Sequence, residues 1–287
     1  MVVKTNRFCK PGETILGGEF FMFPGGKGGN QAVAAARLGA EVVLVSKLGN
    51  DIFGKNAIAG YEKEGIITSH IFTDAKQPSG VALITINGEG ENTIVVASGA
   101  NHSITEKDID KTQELINRAD IILLQLEIPL PIVEYVMGLA KAKHKKIILN
   151  PAPAQQLPDT IFEKLFAITP NETEAEILTG IKVTDAQSAG EAAGKLQQQG
   201  VEHVLITMGS KGVFVQTKGF TGLVQPPVVT AIDTTAAGDV FNGALAVALE
   251  KNQDWENAVR FACGAASISV TRMGAQSSAP YLSEMEA

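Results

Sequence analysis

Short, unbroken apolar runs that alternate with helical stretches constrain this chain most. Asp120-Ile121-Ile122-Leu123-Leu124, Lys146-Ile147-Ile148-Leu149 and His203-Val204-Leu205-Ile206 are apolar at consecutive positions. A strand apolar on both faces must be covered on both faces, and that is the mark of a parallel sheet inside helices. Helices are expected between these strands, at Lys55–Glu64, Pro131–Ala142 and Ala186–Gln199, with further strands at Glu41–Val45 and Phe166–Ile168. Thr105 and Asp108 have capping-box spacing and start another helix, and Asn171 opens one that ends near Gly180. Two helices, Ala237–Glu250 and Trp255–Val270, close the chain after a glycine-rich meander from Gly209 to Val229.

One region breaks the pattern. Ser79 to Ala97, SGVALITINGEGENTIVVA, alternates and carries a central turn, so it reads as a hairpin. Thr14 to Phe23 reads as a third strand of the same kind. The expected fold is therefore α/β in three layers, a mainly parallel central sheet with a small antiparallel β lid, as one domain over 1–287. The lid strands are expected at about 12–24 and 78–98.

Composition narrows the function. A net charge of −7 argues against nucleic acid or an anionic membrane as partner, and no stretch approaches the roughly 20 apolar residues of a membrane helix. Cys9 and Cys263 are far apart and the four histidines are scattered, so neither forms a metal-ligand pattern. Both cysteines read as small buried residues in a protein of the reducing cytoplasm.

Asp233-Thr234-Thr235-Ala236-Ala237-Gly238-Asp239 carries the strongest chemical signal. Small residues leave backbone N–H groups bare at a helix start, where unpaired donors and the helix dipole attract an anion. Asp239 in that turn could accept a proton from an attacking hydroxyl; its bland reading is a first-turn acid that complements the dipole. Gly25-Gly26-Lys27-Gly28-Gly29 also precedes a helix, but no Ser or Thr follows Lys27, so the Walker pattern fails. Asn171 and Glu174 have the spacing of a simple capping box, or of an acidic helix end that holds magnesium through water. Glu127 follows a strand at the carboxyl end where ligands sit in open α/β sheets, or is merely solvated. Met208-Gly209-Ser210-Lys211-Gly212 is a plain turn or a bare surface for a nucleotide base. Arg272 to Ser278 is a C-terminal loop or, with Asp233, a set of cation ligands.

Taken in order, these stretches resemble the ribokinase branch of the PfkB carbohydrate kinases. The resemblance rests on PGET from Pro11, GGKGGNQAVAA from Gly25, NGEGEN from Asn87, QLEIPL from Gln125 and NPAPA from Asn150. PNETEAEILTG from Pro170, ITMGSKGV from Ile206, DTTAAGDVFNGA from Asp233 and the final GAQSS extend it along nearly the whole chain. It implies ATP-dependent phosphorylation of D-ribose at O5. Its alternatives are a kinase for another furanose or nucleoside, such as deoxyribose or adenosine, and a truncated, non-catalytic binding protein.

The resemblance implies that Gly26, Lys27, Gly28, Gly29, Asn30 and Glu127 hold the sugar. It makes Asp239 the catalytic base and the amides of Ala236, Ala237, Gly238 and Asp239 the anion hole. Asn171 and Glu174 would organise Mg²⁺. Asn171, Thr207, Met208, Gly209, Ser210, Lys211, Gly212 and Gly238 would lie along ATP, with Cys263 near the adenine. Asp233, Thr235, Ser269, Arg272, Gly274 and Ser278 would surround a K⁺-type ion. A homodimer through the lids is also implied. Members of the family begin with a buried strand whose closing Asp contacts the sugar. This sequence starts at Met1, close after that position, and no residue before Lys4 replaces the Asp. A sheet lacking a central strand is then expected to show two exposed edges and a gap.

Overall fold

The computed structural model describes residues 1–285. The chain runs through β1 (Val2–Lys4) and β2 (Glu19–Phe21) into α1 (Lys27–Arg37), then β3 (Ser46–Gly49), α2 (Ile52–Lys63) and β4 (Ile71–Asp74). The hairpin β5 (Val81–Ile86) and β6 (Asn92–Ala97) follows, then the short helices α3 (Glu106–Asp110) and α4 (Gln113–Arg118). The body continues as β7 (Ile121–Leu124), α5 (Leu130–Ala142), β8 (Lys146–Leu149), α6 (Asp159–Phe162), β9 (Ala167–Ile168), α7 (Glu172–Thr179) and α8 (Ala186–Gln198). It ends with β10 (His203–Thr207), the hairpin β11 (Val213–Gln216) and β12 (Thr221–Val224), α9 (Ala237–Glu250) and α10 (Trp255–Ser269).

Local signals set the helix boundaries. Asp51, Thr105, Asn171, Asp185 and Asp254 each accept a backbone N–H at the start of α2, α3, α7, α8 and α10. Gly180, at φ 72°, ends α7 in the left-handed conformation that glycine adopts without steric cost.

The main sheet has the order β12-β11-β10-β9-β8-β7, with β7 to β10 parallel and β11 and β12 antiparallel at one edge. Its strands are apolar on both faces because both are buried. Ile147, Leu149, Val204 and Ile206 point into a core with α5, α7 and α8, whereas Ile148 and Leu205 point into one with α1, α9 and α10. This is the period-two alternation of a strand between two helical layers.

The expected break in the sheet is present. β3 and β4 form a separate parallel pair. Val42 and Leu44 share one core with Ile121 and Leu123 of β7, and Val45 shares another with Ile122 and Leu124. The two edges therefore lie between the same layers, yet no ladder joins them among the described residues, and β7 is paired only by β8. That one-sided pairing leaves β7 half-buried, where its composition predicts a buried strand.

The lid sheet has the order β2-β1-β5-β6. Three expectations shift here. The strand expected over Thr14–Phe23 shortens to Glu19–Phe21, because Val2–Lys4 takes the place beside β5 and offers only three residues to pair. The strand expected at Glu41–Val45 makes one bridge, Val43 to Ile67, and its ladder begins at Ser46. Cys9 is exposed rather than buried, since the loop after β1 packs on no core; Cys263 is buried as expected.

Candidate active site

The carboxyl ends of β7, β8, β9 and β10 meet the N-termini of α1 and α9, where open α/β sheets place their ligands. Unlike the helices capped above, α1 and α9 have no side-chain cap. Gly26 precedes α1 at φ 90°, which only glycine adopts readily, and the Lys27 N–H donates to the Glu127 carboxylate at 2.7 Å. Ala236 precedes α9 in a left-handed conformation, φ 61°, which is uncommon for alanine and costs on the order of 1–3 kcal/mol. Such strain clusters at ligand sites, and here it turns the bare start of α9 toward the cleft. A side chain at Gly238 would meet nothing of the protein, so packing does not explain that glycine.

Asp239 lies in the first turn of α9 and is only 5% exposed. Its Oδ2 accepts from Asn30 Nδ2 at 2.8 Å and its Oδ1 from Gln31 Nε2 at 3.0 Å. Burial pushes its pKa up, and Lys27 and the two amides oppose that rise. Burial also raises Glu127 and Glu174, whose carboxylates feel Lys27 as the nearby cation. Lys27 makes no salt bridge among the described residues, so its charge is available to a ligand. Asn30 Oδ1 is buried without a partner, and a buried acceptor of this kind calls for a donor such as a hydroxyl.

Lys27, Asn171, Glu174, Thr207, the turn from Ala236 to Gly238 and Asp239 line one cleft of ≈ 190 Å³. Asn171 and Glu174 form a reciprocal capping box, with Asn171 N to Glu174 Oε2 at 2.9 Å and Glu174 N to Asn171 Oδ1 at 2.8 Å. The bland reading and the cleft position therefore hold together. A larger surface hollow, ≈ 580 Å³ around Gln156, Glu176 and Lys195, lies away from Asp239; its lysine is turned onto the Thr179 carbonyl.

Other expected residues sit elsewhere. Met208 and Cys263 point into the two helical cores, and burial raises the Cys263 thiol to about 12. Lys211 pairs with Glu172 at 3.1 Å, and Gly209 to Lys211 form one tight turn that Gly212 closes, with Ser210 exposed on it. Asp233 accepts from the N–H groups of Thr235 and Gly274, both at 2.9 Å, which ties the start of the bare turn to the loop after α10. The Ser269 and Ser278 hydroxyls bond carbonyls three residues back, and Arg272 pairs with Glu284. Gly29 has a packing reason, since a Cβ there would overlap the Tyr61 hydroxyl.

The motif reading missed a polar cluster around Asp239: Gln31, Gln125, Asn150, Thr169 and Asn242, of which Asn150, Thr169 and Asn242 line the cleft. Thr169 Oγ1 donates to Asn242 Oδ1 at 2.6 Å, and Asn242 Nδ2 to the Gly238 carbonyl at 2.8 Å. A signal existed for Gln31, a glutamine at the i+4 position from Lys27 in a helix otherwise filled by small residues.

A buried carboxylate within reach of a cleft hydroxyl, beside amides that can hold an anion, suits transfer of a charged group to an alcohol. The class is a phosphotransferase of the lidded α/β type. Within it the chain belongs to the pfkB family of carbohydrate kinases, whose family model matches residues 1–282. It is 48% identical over 283 residues to a ribokinase of Haemophilus influenzae, covering 99% of this chain and 92% of that protein. It is 38% identical over 285 residues to a deoxyribokinase of Salmonella typhimurium, covering 99% and 93%. The structure of Arabidopsis thaliana ribokinase complexed with ribose and ATP superposes with a TM-score of 0.90 at 31% identity, covering 99% of this chain and 93% of that one.

Proposed function

We propose that the chain phosphorylates D-ribose at O5 with ATP, giving ribose 5-phosphate and ADP. The observation that carries this reading is Asp239, buried beside the bare α9 turn with both carboxylate oxygens held by amides of α1. Asp239 takes the proton of the attacking hydroxyl, and the 236–239 amides hold the negative charge of the transferred group. Lys27, Asn30 and Glu127 grip the sugar at the start of α1, with Gly26 leaving room for it; a Cβ at Gly28 would instead press on Gln125 Oε1 at 3.1 Å. The lid closes over the sugar and keeps water from the phosphoryl group.

Asn171 and Glu174 fit a magnesium ion held through water. They are hard oxygen donors, and the capping box uses only one carboxylate oxygen of Glu174. When bound with ATP, the ion neutralises phosphate charge. Thr207 and the 209–212 turn lie along the nucleotide. Asp233, Thr235 and Gly274 fit a loop that holds a potassium-type ion mostly through carbonyls, since both oxygens of Asp233 already accept backbone N–H groups. No helix among the described residues is long and apolar enough to cross a membrane. The two free cysteines suit a reducing cytoplasm.

Purified chain given MgATP and each of D-ribose, 2-deoxy-D-ribose and adenosine tests the reading. Ribose is expected to give the highest kcat/KM, with ribose 5-phosphate as product and a gain on replacing sodium by potassium. Preference for deoxyribose, the substrate in the name of the 38% identical relative, would move the assignment to that sugar.

A further inference from the structure

We infer that Gln31 is a positioning residue for the proton acceptor: it locks the Asp239 carboxylate in its ionised form and in one orientation. This rests on the reading of Asp239 as the base. Gln31 is 1% exposed and every polar atom of its side chain is engaged. Nε2 donates one hydrogen to Asp239 Oδ1 at 3.0 Å and the other to Asn150 Oδ1 at 3.1 Å. Its Oε1 accepts from Gln125 Nε2 at 2.6 Å. Asn150 in turn donates to the Thr169 carbonyl at 3.4 Å.

The direction of this chain of amides is fixed from its far end. The Thr169 carbonyl can only accept, so Asn150 turns Nδ2 to it and Oδ1 to Gln31, whose Nε2 must then donate. Rotating Gln31 by half a turn would set its oxygen against two acceptors and its nitrogen against the Gln125 donor. The glutamine therefore offers Asp239 a donor that cannot turn away, and a donor to the charged form favours that form.

The need for such a donor follows from the surroundings of Asp239. Glu174, on α7, lines the same cleft and Glu127, after β7, also feels Asp239 as a like charge, while Lys27 on α1 is the opposing cation. Asn30 holds the other carboxylate oxygen but also borders the sugar space, with its own Oδ1 unpartnered. Gln31 approaches from the buried side of α1, and its anchors are protein amides, Asn150 and Gln125, rather than a ligand. It keeps the carboxylate ready whether or not sugar is bound.

The test is the pH profile of kcat/KM for the sugar in Gln31→Met, which keeps the length and removes the donors. Losing one hydrogen bond to a charged group should move the acid limb up by about one pH unit or more. The sugar KM should stay within about threefold, and the alkaline plateau should fall by less than the roughly 10²–10⁴ set by a catalytic acid–base group. Gln31→Glu sets a second carboxylate beside Asp239 and should move the limb further the same way. A limb that stays in place in folded Gln31→Met, with activity unchanged or lowered equally at every pH, overturns the inference. If that variant does not fold, Gln125→Met frees the Gln31 amide from one anchor and should shift the limb less, in the same direction; an unmoved limb there also overturns it. Asp239→Asn separates the two readings. If it turns over like the parent, the base assignment fails; if it is silent while the Gln31→Met limb is unmoved, only the inference about Gln31 fails.

Discussion

Single residues show where the motifs spoke and where they were mute. Asp239, Asn30 and Lys27 stand out because small, bare neighbours surround them; the structure brings Lys27 and Asp239 to one cleft and bonds Asn30 to Asp239. Gln31 and Asn242 lie in the same motifs but are each 1% exposed and bonded to protein groups, and a motif does not say which partners a side chain finds. Glu174 was legible as a capping residue, and the capping box uses one carboxylate oxygen and leaves the other free for the proposed magnesium. Its burial carries a stability prediction. A carboxyl whose pKa is raised on folding binds its proton more tightly in the folded state, so its contribution to stability falls as pH rises out of the ordinary carboxylate range. Glu174→Gln keeps an acceptor for the Asn171 N–H and removes the charge. Its melting temperature should exceed the parent's near neutral pH, and the difference should vanish toward pH 4, below the ordinary glutamate value. A difference that grows on acidification would contradict this. The same variant should need more magnesium for half-maximal activity.

Among the elements, α1 and α9 matter most because the proposed sugar grip lies on one and the proposed proton acceptor on the other. They touch at Gly243, where a Cβ would lie 2.6 Å from the Gln31 carbonyl oxygen and 2.8 Å from Ala34 Cβ. The helices cross that closely only because this residue has no side chain. Gly243→Ala must push them apart and should destabilise by about 1–3 kcal/mol, as overpacking does. It should also lower kcat more than a remote mutation of equal thermal cost, because the same crossing aligns Gln31 with Asp239. Calorimetry and steady-state rates on the one variant check both. Helices with strong caps, such as α7 and α8, were read nearly to the residue. β1 was not, since three residues carry too little pattern, and what makes Val2–Lys4 a strand is the pairing offered by distant β5 and β2.

For the whole molecule, the layered α/β body and the lid were legible from strand composition and the 79–97 hairpin. A gap in the sheet was expected from the family resemblance, but its place between β3 and β7 was not, because no local feature of either strand announces which neighbour it has. The lid leaves an apolar surface uncovered. β6 is an edge strand, and Ile94, Val95 and Val96 are 54%, 66% and 58% exposed, so both of its faces are open. An edge of this composition invites a second strand. We propose that a second copy covers it through its own lid. Light scattering should give twice the chain mass, and Val95→Lys should give the monomer; a monomeric parent would contradict the proposal.

The most direct measurement of the central claim is ADP release with MgATP, with and without D-ribose, by the parent chain and by Asp239→Asn. The account predicts ribose-dependent release by the parent and a loss of kcat by a factor of about 10²–10⁴ in the variant, with sugar still bound. Equal turnover by the two proteins would show that the buried carboxylate at the start of α9 is not the proton acceptor.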